Sequence, residues 1–160
     1  MELTGGDDEL WLVGNGPELN QWLTLAGRLG LGGRVKPHQF VDHSGLPGLW
    51  DAVDIGVFPS CSDEGFSMSI VESMARGKPI IATHLGGIPE GVGNEGLCGW
   101  LCANLDANDF ARAIRLSRAV DLVEMGRNAR HRAGRFRWSV AARCFLDFVD
   151  GHGNMVLGDI

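Results

Sequence analysis

Pro59-Ser60-Cys61-Ser62-Asp63-Glu64-Gly65-Phe66-Ser67-Met68-Ser69-Ile70-Val71-Glu72-Ser73-Met74-Ala75-Arg76-Gly77-Lys78-Pro79 is the stretch that decides the fold. It opens as a polar loop, Ser60 to Ser67, and continues as a helix from about Met68 to Arg76, with Gly77 at its end. Short apolar runs flank it: Asp54 to Pro59 before, Pro79 to Thr83 after. Strand, loop, helix, glycine stop and strand make a β-α-β unit, whose two strands run parallel. In open sheets of this kind, ligands bind beyond the carboxyl ends of the strands, where the loop and helix start lie. Gly65 lets the backbone approach a ligand closely, and the first-turn N–H groups of a helix attract anions such as phosphate. Glu64 precedes the helix and Glu72 lies about two turns into it, and a carboxylate accepts from sugar or ribose hydroxyls.

The same alternation extends in both directions. Leu10 to Val13 reads as a buried strand, stopped by Gly14-Asn15-Gly16, and Pro17 suits a first helical turn. Leu19, Trp22, Leu23 and Ala26 recur at helical spacing. Val35 to Val41 is a weaker strand in which Pro37 signals an edge. Leu46 to Val53 is a short helix. Beyond the central unit, His84 to Gly87 reads as a turn and Gly99 to Ala103 as a last strand. Asp106 opens a helix with Phe110, Ala113, Ile114 and Ser117 on one face. Leu122 to Phe136 and Val140 to Val149 are further helices. Five strands alternating with helices predict an α/β, doubly wound, mostly parallel sheet. The expected organisation is one domain over 10–150, an N-terminal segment 1–9 and a fraying tail 151–160.

Composition narrows the function classes. The 160 residues are 44% hydrophobic and 21% charged, which excludes a disordered, collagenous or coiled-coil chain. Four cysteines without a C-x-x-C pair are too sparse for a disulfide scaffold and read as reduced and mostly core. The acidic first eight residues do not resemble a signal peptide and no apolar run approaches a membrane span, so the expected location is cytoplasmic. Net charge is −6, yet all nine arginines of the second half fall between Arg112 and Arg143, opposed there only by Asp121 and Glu124. That stretch reads first as a solvated helix face. An anionic membrane surface, with the chain peripheral to the inner face, or a phosphorylated acceptor is its candidate partner, and nucleic acid is not expected. The five histidines are scattered and no His/Cys pair has ligand spacing, so no metal is assigned. The tryptophans read as core or seam residues, with Trp50 and Trp100 as candidates to face another domain.

The motif set resembles one family. Glu64-Gly-Phe-Ser…Glu72, followed by Gly77-Lys78-Pro79-Ile-Ile-Ala-Thr, is similar to the E-x7-E region of retaining GT-B glycosyltransferases of the family 4 kind. Leu12-Val13-Gly14-Asn15-Gly16-Pro17 resembles its V-G-x-G-P turn, and Arg34-Val35-Lys36 the strand that follows. Pro59-Ser60, Gly86-Gly87-Ile88-Pro89-Glu90 and Phe136-Arg137-Trp138 resemble further submotifs in the family's order. The resemblance covers residues 10–148 and implies the C-terminal, Rossmann-like domain that binds a nucleotide-diphosphate sugar. It implies that Glu72 accepts from the ribose and that Glu64, in a catalytic position, and Gly65, Phe66 and Ser67 hold the transferred hexose-type sugar. Helix N-terminal amides from Ser67 to Ile70, those of Ser67, Met68 and Ser69 among them, would meet the diphosphate. Gly14 and Gly16 would also bind the donor, and backbone around Val35 to Pro37, Lys36 included, would line the base pocket. No cofactor and no metal are implied.

The family's domain usually opens with a strand ending in G-R, followed by K-G, whose cations neutralise the departing diphosphate. Met1 to Glu9 matches neither, so the expectation is a chain lacking that first strand and the acceptor domain, and inactive alone. The other readings are a non-catalytic nucleotide- or partner-binding module and the epimerases that share the two-domain fold. For single residues, Glu72 can be a solvated helix residue, Glu64 an acid favoured by a helix start, and Lys78 a helix-end cation.

Overall fold

The computed structural model describes residues 8–62, 65, 67–103 and 105–151. The chain divides into two units, Met1–Ala52 and Val53–Ile160. The described strands form two separate sheets, one of order β1-β2 and one of order β3-β4-β5.

In the first unit, β1 (Leu10–Val13) pairs in parallel with β2 (Val35–His38), Leu10 opposite Val35 and Val13 opposite His38. The connection is α1 (Leu19–Arg28). Pro37 sits within β2 opposite Leu12, as an edge strand permits. β1 was expected to be buried, but Leu10 is 47% and Val13 44% exposed. A strand with one ladder neighbour among the described strands buries less than a central one. On α1, Ala26 is buried and Leu19 and Leu23 are half-buried, while Trp22 turns outward. The inward face is therefore Leu19, Leu23 and Ala26, and Trp22 does not belong to it. Asp42 then accepts from the Ser44 hydroxyl at 2.7 Å and the Gly45 N–H at 2.9 Å, a turn that leads into α2 (Leu46–Ala52).

In the second unit, β3 (Gly56–Phe58), β4 (Ile80–Thr83) and β5 (Gly99–Cys102) are all parallel, with β4 central and buried throughout. Alternate β4 side chains feed two cores, as the two-residue period of a strand requires. Ile80 and Ala82 join Ile70, Val71 and Met74 of α3 (Met68–Ala75), Ile88 and Val92 of α4 (Ile88–Val92), and Ala129 and Ala133 of α6 (Leu122–Ala133). Ile81 joins Trp100, Cys102, Met125 and Ala113, the last from α5 (Ala107–Ser117). Trp100 is thus a core residue, 5% exposed, and does not look out toward another domain. Cys98 and Cys102 lie in different cores, and burial pushes both thiols up from the ordinary cysteine range.

Capping explains several boundaries. Asp106 accepts from the Asn108 N–H at 3.0 Å and starts α5. Asp121 accepts from Val123 and Glu124 N–H at 2.9 and 3.1 Å and starts α6. The expected single helix to Phe136 ends earlier, at Ala133, and tightens into a 3₁₀ turn over Gly134–Phe136. α4 follows the expected turn of His84 to Gly87 and was not foreseen, because five residues with a proline in the first turn carry no helical period. Arg132 closes it from outside by donating to the carbonyls of Glu90 and Gly91.

Two backbones also approach closely where α6 meets the end of α3. Gly77 has φ +74, and a Cβ on Gly126 would stand 2.1 Å from the Gly77 carbonyl oxygen. Only glycine at 126 lets the two backbones meet. The last helix, α7 (Trp138–Val149), leaves Trp138 81%, Phe145 64% and Val149 61% exposed, so Trp138 is a surface residue and not a core one. Among the described residues no helix is long and apolar enough to cross a membrane.

Candidate functional site

The loop from Pro59 runs off the carboxyl end of β3 and delivers the chain to Ser67, the N-cap of α3. Ser67 has extended backbone (φ −80, ψ 106), and its hydroxyl makes no capping bond. Its carbonyl accepts from Ile70 and Val71 N–H at 3.2 and 3.3 Å. No described residue accepts from the N–H groups of Met68 and Ser69. These are orphan donors at the positive end of a helix, where an anion is favoured. Ile70, Val71, Ser73 and Met74 are buried, and Met68 and Ser69 are exposed. Glu72, half-buried, follows them by four and three positions, so its carboxylate shares their face of the helix.

The Gly86-Gly87-Ile88-Pro89-Glu90 motif meets this helix start. A shallow cleft between α3 and α4 is lined by Ser67, Ile70, Val71, Gly87, Ile88 and Gly91. Gly65 is exposed and has no atom within 4 Å of where a Cβ would stand, leaving its backbone open to a ligand. Glu64 and Phe66 lie outside the described residues. The structure thus brings Gly65, Ser67, Met68, Ser69 and Glu72 to one end of the three-stranded sheet.

In the first unit, Gly14 turns with φ +126, a conformation that side chains rarely adopt, and its N–H donates to the His38 carbonyl at 3.1 Å. The Gly16 carbonyl accepts from Leu19 N–H at 3.1 Å and so sits at the start of α1. Val35 is half-buried at the amino end of β2, away from the carboxyl end where Gly14 turns. Lys36 extends its ammonium to the Glu9 carboxylate at 3.7 Å. Residues that sequence reasoning passed over gather at the carboxyl end instead. The Asn15 side chain accepts from Phe40 N–H at 2.8 Å, Trp11 stacks on His38 with ring centroids 4.4 Å apart, and Phe40 is 72% exposed. Periodicity could not find them, because Phe40 lies outside any element. The available signal was an aromatic just past a β-strand that ends beside a glycine turn.

Among the described residues, no group of three or more His, Cys, Asp or Glu is placed to hold a metal ion.

Comparison with known proteins adds to this geometry. The family described as Glycosyl transferases group 1 matches residues 3–117. A D-inositol 3-phosphate glycosyltransferase of Catenulispora acidiphila is 37% identical over 125 residues, 77% of this chain and 29% of that protein. An MMP alpha-(1->4)-mannosyltransferase of Mycolicibacterium hassiacum is 34% identical over 123 residues, 74% of this chain and 30% of that protein. The chain therefore spans less than a third of the length of these curated relatives. Among solved structures, the sucrose-phosphate synthase of Thermosynechococcus elongatus superposes with a TM-score of 0.77 at 31% identity, covering 89% of this chain and 38% of that one. Anabaena HepE, solved in complex with UDP, superposes with a TM-score of 0.77 at 27% identity, over 90% of this chain and 41% of that one.

Proposed function

The chain belongs to the group 1 glycosyl transferases, and from that footing we propose that it is the donor-binding half of a retaining enzyme that uses a nucleotide-diphosphate sugar. The observation that carries this reading is the start of α3, where the orphan N–H groups of Met68 and Ser69 share a face with Glu72. Amides at a helix start suit the diphosphate, and a carboxylate one turn further suits the two ribose hydroxyls. The structural likeness supports this: Anabaena HepE was solved with UDP and with UDP-glucose.

Glu64, Gly65 and Phe66, just ahead of the helix, are proposed to contact the transferred hexose, with Glu64 in the catalytic position. In the proposed transfer, the acceptor hydroxyl oxygen bonds the anomeric carbon from the side the diphosphate leaves. The bond from that carbon to the diphosphate oxygen breaks, and the hydroxyl proton passes to a diphosphate oxygen. No side-chain base is then required of these residues. The relatives are more than three times as long as the matched region, and we assign the acceptor site and turnover to chain beyond these 160 residues. In the first unit, Gly14 and Gly16 remain proposed donor contacts; Val35, at the amino end of β2, and Lys36, paired with Glu9, do not share their end of that sheet, where Phe40 is an exposed ring on which a base can stack.

The test is nucleotide titration by calorimetry with Met68→Pro, Glu72→Ala and Phe40→Ala variants. A proline at 68 removes one amide donor at a first helical position, where the ring is tolerated. Weaker diphosphate binding in Met68→Pro with unchanged nucleoside binding supports the helix-start site. Equal diphosphate affinity in all variants rejects it.

A further inference from the structure

At the opposite end of the three-stranded sheet, Asp54 precedes β3 and Lys78 and Pro79 precede β4. These residues, with Gly77 and the first turns of α6, enclose a concavity of about 280 Å³. β4 has four residues, so its two ends lie roughly 13 Å apart, and this concavity is separate from the α3 site.

Its walls are unusual for this chain. Leu122, Val123, Gly126, Arg127 and Arg130 line it from one face of α6, at spacings of about one helical turn. Three cations, Lys78, Arg127 and Arg130, face one carboxylate, Asp54, in a protein whose net charge is −6. The side chains of Arg127 and Arg130 make no ion pair and no hydrogen bond with any described residue. The position of the cations is set by the backbone. The Lys78 N–H donates to the Ser73 carbonyl at 3.1 Å, and the contact of Gly126 on Gly77 holds α6 against that turn. The floor is therefore rigid, while the two guanidinium groups stand at its rim.

We propose that this concavity binds a small phosphomonoester that carries hydroxyl groups. The two guanidinium forks of Arg127 and Arg130 match the geometry and double charge of a phosphate monoester near neutral pH. Asp54 accepts from a hydroxyl of the carbon portion, and Pro79, Leu122 and Val123 lie against its carbon atoms. A volume of about 280 Å³ has room for a short polyol phosphate.

The test is calorimetry on the whole chain with glycerol 3-phosphate, inorganic phosphate and vesicles containing phosphatidic acid. Arg127 and Arg130 are exposed, so Arg127→Ala/Arg130→Ala keeps the fold, which the melting temperature checks. The expected result is saturable glycerol 3-phosphate binding, weakened about tenfold or more in the double variant and weakened by added salt. Arg127→Lys/Arg130→Lys, with charge kept and forks lost, falls between. Glu72→Ala binds as the parent does, which separates this site from the donor site whatever becomes of that reading. Asp54→Ala removes the preference over inorganic phosphate. Vesicle binding without soluble binding, no saturable binding by the parent chain, or equal affinity in Arg127→Ala/Arg130→Ala each overturns the proposal.

Discussion

Gly126→Ala puts the packing of the second unit to its sharpest trial. The added methyl carbon would stand 2.1 Å from the Gly77 oxygen and 3.1 Å from its carbonyl carbon. An ordinary contact of this kind needs about 3.4 Å, so α6 must retreat from the end of α3 by more than an ångström, or the Gly77 turn must give way. Neither is cheap. The turn holds φ +74, and α6 carries Ala129 and Ala133 into one core and Met125 into the other. Overpacking of this kind costs about 1–3 kcal/mol, with more when backbone must move, whereas alanine over glycine in a helix interior returns only about 1 kcal/mol. With backbone obliged to move, the upper part of that range applies, and the net is a loss of about 1–2 kcal/mol, or roughly 2–8 °C in melting temperature for a chain of this size. Denaturant unfolding followed by circular dichroism reads it directly. A variant as stable as the parent, or more so, means that helix propensity outweighs the contact and that the glycine-to-glycine approach does not hold α6 in place.

Other consequences are independent of that contact. The Ser73 hydroxyl is buried with no hydrogen-bond partner among the described residues, so Ser73→Ala should be neutral or stabilising by up to about 1 kcal/mol in the same unfolding assay; a clear loss would reveal a partner. The Asn108 backbone N–H, followed by its side chain, lowers the Asp106 carboxyl below the usual carboxylate value. A lowered folded value means stability present above the unfolded value near 3.9 and lost as pH falls through the folded one. Asp106→Ala should therefore narrow the gap in stability between pH 6 and pH 3, and an unchanged gap would remove Asp106 from the account. The apolar stripe of Trp138, Phe145 and Val149 predicts association that grows with protein concentration. Sedimentation should show less of it in Trp138→Ser/Phe145→Ser; identical behaviour would clear the stripe.

How much of this was legible beforehand follows from the physics of each element. The β3-α3-β4 unit could be read because a buried parallel strand writes a continuous apolar run, Ile80-Ile81-Ala82, and Gly77 marks the helix end. Asp106 announced α5 by its own capping chemistry. The half-exposure of β1 could not be read, because ladder neighbours belong to the tertiary structure and Leu10 to Val13 is apolar either way. α4 escaped because it ends on a distant arginine, Arg132, far along the chain. At the candidate site, Glu72 stood at a readable spacing from the helix start. Phe40 did not, since only the Asn15 bond shows where the segment after β2 is held.

The central claim is that the start of α3 holds the donor's diphosphate and that Glu72 holds its ribose. Melting the chain with and without uridine, guanosine and adenosine diphosphates tests it most directly. At about one hundred times the dissociation constant, a bound nucleotide adds about 2.7 kcal/mol, a rise of roughly 5–11 °C. The account predicts such a rise for one of the three, and its loss or near loss in Glu72→Ala. A folded chain whose melting none of them shifts, or a Glu72→Ala variant that responds as the parent does, would contradict it.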